Sequence, residues 1–226
     1  MIYLQKYMAN PMNEAWAHIQ GRRGKPLGGS TGASKHGDFV VKPGAHGAQA
    51  ENEYDMNQFL NSLGVGVPKA SLQEFEGKPH LMTEFERGAS EPDLSDEATR
   101  AKLQQDFVPH AAIGNWDMLG LDVDNVLMRP DGTPTYVDVG GSGPWRAQGG
   151  AKGGAWGPQV SELDTMRNKP PNAQQVFGDM NTEDMGRSFD YHGGEDAMNE
   201  SLQFLRDEQT RNVMQQRIED ISRQVA

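Results

Sequence analysis

The chain has 226 residues, 35% of them apolar, and its 32 Asp and Glu against 21 Lys and Arg leave a net charge of −11. That balance disfavours the phosphate-backbone footprint of a general nucleic-acid binder, and the absence of cysteine excludes disulfides, thiolate zinc sites and cysteine nucleophiles. No run approaches the length of a membrane span and the start lacks a basic stretch followed by an apolar core, so a cytoplasmic protein is expected.

Residues 1–26 read as a flank or substrate-facing arm, with a short helix around 13–20 and the basic turn GRRGKP. The stretch LGGSTGASKHG, with glycines at 28, 29, 32 and 37, then reads as a flexible loop feeding a strand over 39–42. Met56, Phe59, Leu60 and Leu63 recur at helical spacing and predict a helix closed by Gly64 and Pro68. Extended backwards, that stripe carries Asn52 and Glu53 inward and leaves Glu51, Asp55 and Gln58 on the wet face. Two strands are expected around the turn at 76–79, followed by a polar linker that places a lobe boundary near Arg87.

The second half opens with a predicted helix from about Ser95 to Ile113. NVLMRPDGTPTYVDV reads as strand, turn and strand, punctuated by Asp131-Gly132. From 140 to 157, eight of eighteen residues are glycine, which predicts a mobile loop carrying Arg146 and Lys152. Thr182 is expected to cap a short helix. Residues 197–225 read as one or two helices with Met214, Ile218, Ile221 and Val225 on a packing stripe.

An inward Glu53 needs a partner, because an unpaired buried carboxylate is costly, and Lys42 on the preceding strand is the natural candidate. A glycine loop, a strand lysine and a helix glutamate together make a device for holding phosphates. Mg²⁺ on such phosphates wants hard oxygen ligands with room for water, and Asn125 and Asp138, on opposite arms of the hairpin, supply an amide and a carboxylate oxygen. Asp117, upstream, is placed to accept the proton of an attacking hydroxyl. The histidines show no metal-ligand spacing, and Trp116, Trp145 and Trp156 are read as packing residues.

The order of LGGSTGA, VVKPG, AENEY, GNWDMLGLDVDNVLM, YVDVGGS and RAQGGAKG resembles the protein-kinase-like superfamily, in its atypical bacterial and phage members related to the HipA and phosphatidylinositol-kinase-like branch. The resemblance spans roughly 26–167. It implies an α+β, two-lobed fold, with a β-rich lobe over 27–87 and a mainly helical lobe over 88–226, and the cofactors ATP and Mg²⁺. Lys42 would then contact the phosphates, Glu53 would pair with it, and Gly28, Gly29, Ser30, Thr31 and Gly32 would cover them. Residues 81–88, Glu84 among them, would form the hinge that receives adenine, and Asn125 and Asp138 would hold the metal. Arg146 and Lys152 would lie where an activation segment presents a substrate or grips phosphates.

The pattern departs from ordinary kinases in one respect: there the catalytic Asp stands about five residues before the metal-binding Asn, whereas Asp117 stands eight before Asn125 and the five-back position is Gly120. Asp122 is the alternative base, with Asp124 as a brace. The expected activity is phosphoryl transfer from ATP to a hydroxyl on an unidentified protein partner. The alternatives are AMP transfer on the same fold and a nucleotide-binding module of a phage particle or toxin system that does not turn over.

Overall fold

The computed structural model describes residues 11–28, 32–44 and 47–226. The chain has the α+β composition expected of it, a five-stranded antiparallel sheet followed by a mainly helical part. The sheet is formed by β1 (Lys25–Gly28), β2 (Ala33–His36), β3 (Phe39–Lys42), β4 (Ala70–Phe75) and β5 (Lys78–Glu84), in spatial order β1-β2-β3-β5-β4.

Register decides what each face carries. Val41 pairs with Met82 and Lys42 with Leu81, and because side chains alternate along a strand, the two pairs point to opposite sides. The outer face is closed by α1 (Pro11–Ile19), whose Met12 and Trp16 pack on Val41 and Met82. On the inner side lies α2 (Gly47–Ser62), where Met56, Phe59 and Leu60 are fully buried, as the spacing predicts. Each such side chain removed from water contributes about 1.5–3 kcal/mol.

Asp55 is a correction. It is buried rather than wet, because Arg206 covers it, with Nε 2.7 Å from Oδ1 and its backbone N–H donating to Oδ2 at 3.0 Å. Two further side chains tie the same helix: Asn52 Nδ2 donates to the Ser142 carbonyl at 3.1 Å, and Gln49 Nε2 lies 3.4–3.5 Å from the carbonyls of Gly140, Arg146 and Ala147.

The helix expected over 95–113 is two helices, α3 (Glu97–Gln105) and α4 (Phe107–Ala112), broken at Asp106. Pro109 explains the break, since it has no N–H for the Gln105 carbonyl and its ring crowds that oxygen. The freed carbonyl accepts from Ser188 Oγ at 2.8 Å and lies 3.1 Å from His192 Nε2. The cap of α3 is Asp96, accepting from Thr99 N at 2.9 Å.

After α4, β6 (Val126–Met128) and β7 (Pro134–Tyr136) form the expected hairpin. Then come α5 (Glu162–Asn168), α6 (Pro171–Phe177), α7 (Thr182–Tyr191), α8 (Gly194–Ser201) and α9 (Glu208–Val225). Asn181 caps α7 in a capping box with Asp184, so Thr182 is its first helical residue. Met214, Ile218 and Ile221 of α9 are buried in the shared core, as their spacing requires. No described helix is long and apolar enough to cross a membrane.

Candidate functional site

A crevice of about 250 Å³ opens beneath the inner face of the sheet. Gly28, Ala33, Val40 and Lys42 form its roof, and Thr83 to Glu86 run along one edge. Its floor is the end of the loop before β6 and the hairpin: Asp124, Asn125, Leu127, Val137 and Asp138. Five of the residues singled out from sequence, Gly28, Lys42, Glu84, Asn125 and Asp138, thus line one cavity. Gly32 does not; it lines a different cavity on the outer face. Gly29, Ser30 and Thr31 lie outside the described residues.

Lys42 stands at the centre of the polar end. Its Nζ lies 2.7 Å from Glu53 Oε1, 3.0 Å from the Val137 carbonyl and 3.4 Å from Asp138 Oδ1. Burial works against the ammonium, but the adjacent Asp138 and Glu53 carboxylates outweigh it and raise its pKa. Burial pushes the Glu53 carboxyl up, with Asp138 adding to the push and Lys42 opposing it. The close Nζ contacts with two carboxylates and a carbonyl favour the charged lysine.

Gly140 explains how the carboxylates come so close. A Cβ there would sit 2.8 Å from Glu53 Oε2 and 3.2 Å from Asp138 Oδ1, so any side chain would part them. Its N–H instead donates to Asp138 Oδ1 at 3.0 Å.

Asn125 is oriented by its own amide: Nδ2 donates to the Asp117 carbonyl at 2.6 Å, which leaves the amide oxygen for a cation. Val137 N–H donates to the Asn125 carbonyl at 2.9 Å and ties the two arms together. One amide and one carboxylate oxygen, with the rest left to phosphate and water, is a donor set that fits Mg²⁺. No cluster of three or more His, Cys, Asp or Glu gathers among the described residues, which therefore offer no closed metal cage.

Asp117 is half-buried beside Asn125. Burial raises its pKa and the nearby Asp138 and Asp124 carboxylates add to that, against the pull of the Asn125 hydrogen bond. At Gly120, with φ +80°, a Cβ would press on the Asp124 carboxylate and lie 3.1 Å from Asn125 N, so a side chain at the five-back position is strained. The longer loop turns through Val123 at φ +59°, a conformation that is strained for a β-branched residue. Asp122 is exposed on that loop; neither it nor Asp117 lines the crevice, and Asp117 lines a small adjoining pocket with Met118 and Phe177.

The segment after Asp138 corrects the expectation of a mobile basic loop. Lys152 is buried, donating from Nζ to the carbonyls of Gly114 at 2.6 Å and Gly141 at 2.8 Å, with the Trp116 ring centroid 4.6 Å away. It joins the loop that leads to Asp117 to the one that follows Asp138. Arg217 of α9, fully buried, donates to the Ala111 and Ala112 carbonyls just upstream, and its Nη2 lies 2.9 Å from Glu162 Oε2. Trp116 Nε1 donates to the other Glu162 oxygen at 2.9 Å. Lys152, Arg217 and Glu162 carry no sequence signal of this bracing.

Burial lowers the Lys152 ammonium from 10.5 to about 7, with Glu162 opposing the shift and Arg217 and Arg146 adding to it. Between those pH values the unfolded chain binds more protons at this site than the folded chain, so its contribution to stability rises with pH. Thermal melts across the window should show a rising component that Lys152→Met lacks. Equal slopes in the two proteins would mean that Lys152 does not titrate there.

No protein-family model matches the chain, and no curated protein sequence does. Among solved structures, the crystal structure of a Helicobacter pylori proinflammatory kinase, CtkA, matches 91% of this chain and 95% of its own, with a TM-score of 0.55 and 12% identity. The fold is kinase-like. At that identity the likeness concerns the fold alone.

Proposed function

We propose that the crevice binds Mg-ATP and that the chain transfers the γ-phosphoryl group to a protein hydroxyl, as an atypical kinase of the type resembled by its motifs. The observation that carries this reading is the convergence of Lys42, Glu53 and Asp138 at the polar end of a crevice that Asn125 also lines. The Gly28 hairpin would cover the nucleotide, Glu84 and its neighbours would receive the base, and the lobe boundary would fall near Arg87.

Bound Mg²⁺ would neutralise charge on the phosphates, held by Asn125 and Asp138. Lys42 would fix the phosphates from the sheet side, oriented by Glu53. Asp117 would take the proton from the acceptor hydroxyl as its oxygen bonds to the γ-phosphorus and the bond to the β-phosphate oxygen breaks. Most of the rate gain in such a reaction comes from positioning and charge stabilisation, which fixed groups of this kind supply.

A second reading, a nucleotide-binding module without turnover, draws on the altered Asp117 to Asn125 spacing. Thermal shift with Mg-ATP followed by an ATP-consumption assay separates the two. Nucleotide at a hundred times its dissociation constant should add about 2.7 kcal/mol of stability. Stabilisation without consumption, in the presence of candidate acceptors, supports the module. Mass spectrometry of the modified product distinguishes phosphate from AMP. Asp117→Ala is expected to stop turnover and Asp122→Ala to leave it within a few-fold; the reverse outcome would move the base to Asp122.

A further inference from the structure

The basic turn GRRGKP plays no part in the crevice. Residues 15–37 contain Arg22, Arg23, Lys25 and Lys35 and no Asp or Glu, in a chain whose net charge is −11. The fold gathers part of that charge at a second cavity, of about 370 Å³, on the outer face of the sheet.

One wall of this cavity is aromatic. Trp16, Phe75 and His80 line it, with the Trp16 and His80 rings 5.9 Å apart and the Phe75 and His80 rings 6.1 Å apart. Arg22 and Arg23 also line it, as do Ser34 and His36 of β2. Gly21, at φ +70°, ends α1 and turns the chain there, and the Arg22 N–H donates to the Ile19 carbonyl at 3.0 Å.

Both guanidinium groups are exposed and neither has an ion pair or hydrogen bond among the described residues. Arg129, Arg206 and Arg217, by contrast, each face a carboxylate. In so acidic a chain, two adjacent arginines without a carboxylate partner beside an aromatic cavity need a physical reason.

We infer that this outer cavity binds a phosphorylated aromatic side chain carried by a peptide, with the phosphate held by Arg22 and Arg23 and the ring set against Trp16 and His80. Two guanidinium forks match the charge and the acceptor geometry of a phosphate dianion. The aromatic wall suits a planar stem by stacked or edge contacts. A pit of this size holds one group, whereas single-stranded nucleic acid needs a positive groove that follows its backbone, and the net negative charge opposes a polyanion. Nothing in this inference depends on turnover in the crevice.

The test is isothermal titration of the full chain with a short peptide carrying phosphotyrosine, its unphosphorylated twin, inorganic phosphate and a single-stranded RNA of similar length. The phosphopeptide should bind at least about tenfold more tightly than each of the other three, and more weakly as salt rises. Arg22→Glu combined with Arg23→Glu should abolish that preference while leaving the melting temperature and any Mg-ATP stabilisation unchanged, because both side chains are exposed. Equal binding of the unphosphorylated twin, of phosphate alone or of RNA would overturn the assignment, as would undiminished phosphopeptide affinity in the double variant.

Discussion

Asp138→Asn is expected to lower ATP turnover about a thousandfold or more, the scale on which loss of a fixed charge-stabilising group acts in such sites. The replacement keeps the side chain's size and an oxygen that can accept from the Gly140 N–H, now 3.0 Å from Asp138 Oδ1. Lys42 keeps Glu53 at 2.7 Å as its counter-ion. Stability should therefore change by no more than about 1 kcal/mol. Paired assays decide the matter: ATP consumption with Mg²⁺, and a thermal melt without nucleotide. Full activity in this variant removes Asp138 from the proposed metal site. Loss of activity with a collapsed melting temperature makes it a structural residue.

Lys42→Met should fail differently. It removes the proposed phosphate contact and also leaves Glu53, which is buried, without its cation. Breaking one side of a buried ion pair costs about 3–5 kcal/mol at neutral pH. The pH dependence gives the sharper test. Burial already raises the Glu53 carboxyl, and with the opposing pull of Lys42 gone it rises further. A carboxyl raised above its unfolded value stabilises the folded state when protonated, so that contribution is lost as pH increases from the unfolded value of 4.5. The variant should accordingly recover part of its deficit relative to wild type when melted at mildly acid pH. A deficit independent of pH would mean that Glu53 remains ionised and finds another partner.

Local pattern made some of this molecule legible from sequence. The strand over 39–42, the stripe on α2 and the β6–β7 hairpin each rest on short-range spacing and turn chemistry, and the structure has all three. Other elements were obscured. The strands β1 and β2 are four residues each, with no buried residue in either, so glycine punctuation dominates their reading. The short helices α5 and α6 meet at Pro170-Pro171 and lack a long stripe. The break at Asp106 was legible in principle, since Pro109 cannot donate to Gln105.

At the candidate site, the order of Lys42, Glu53, Asn125 and Asp138 could be read in advance, and the structure places them around one end of a crevice. What could not be read was the support. Asp55 is covered by Arg206, 151 residues away in sequence, and Lys152 is braced by the carbonyls of two glycines. Such contacts depend on tertiary packing and leave no periodic trace.

Gln49, Asn52 and Asp55 fasten α2, the helix that carries Glu53, to the segment beyond Asp138 and to the start of α9. Swinging that helix outward would strand a buried carboxylate and several backbone carbonyls at a stroke, a penalty that a single added charge on a loop would struggle to offset. The helix that carries Glu53 therefore has no inexpensive second position.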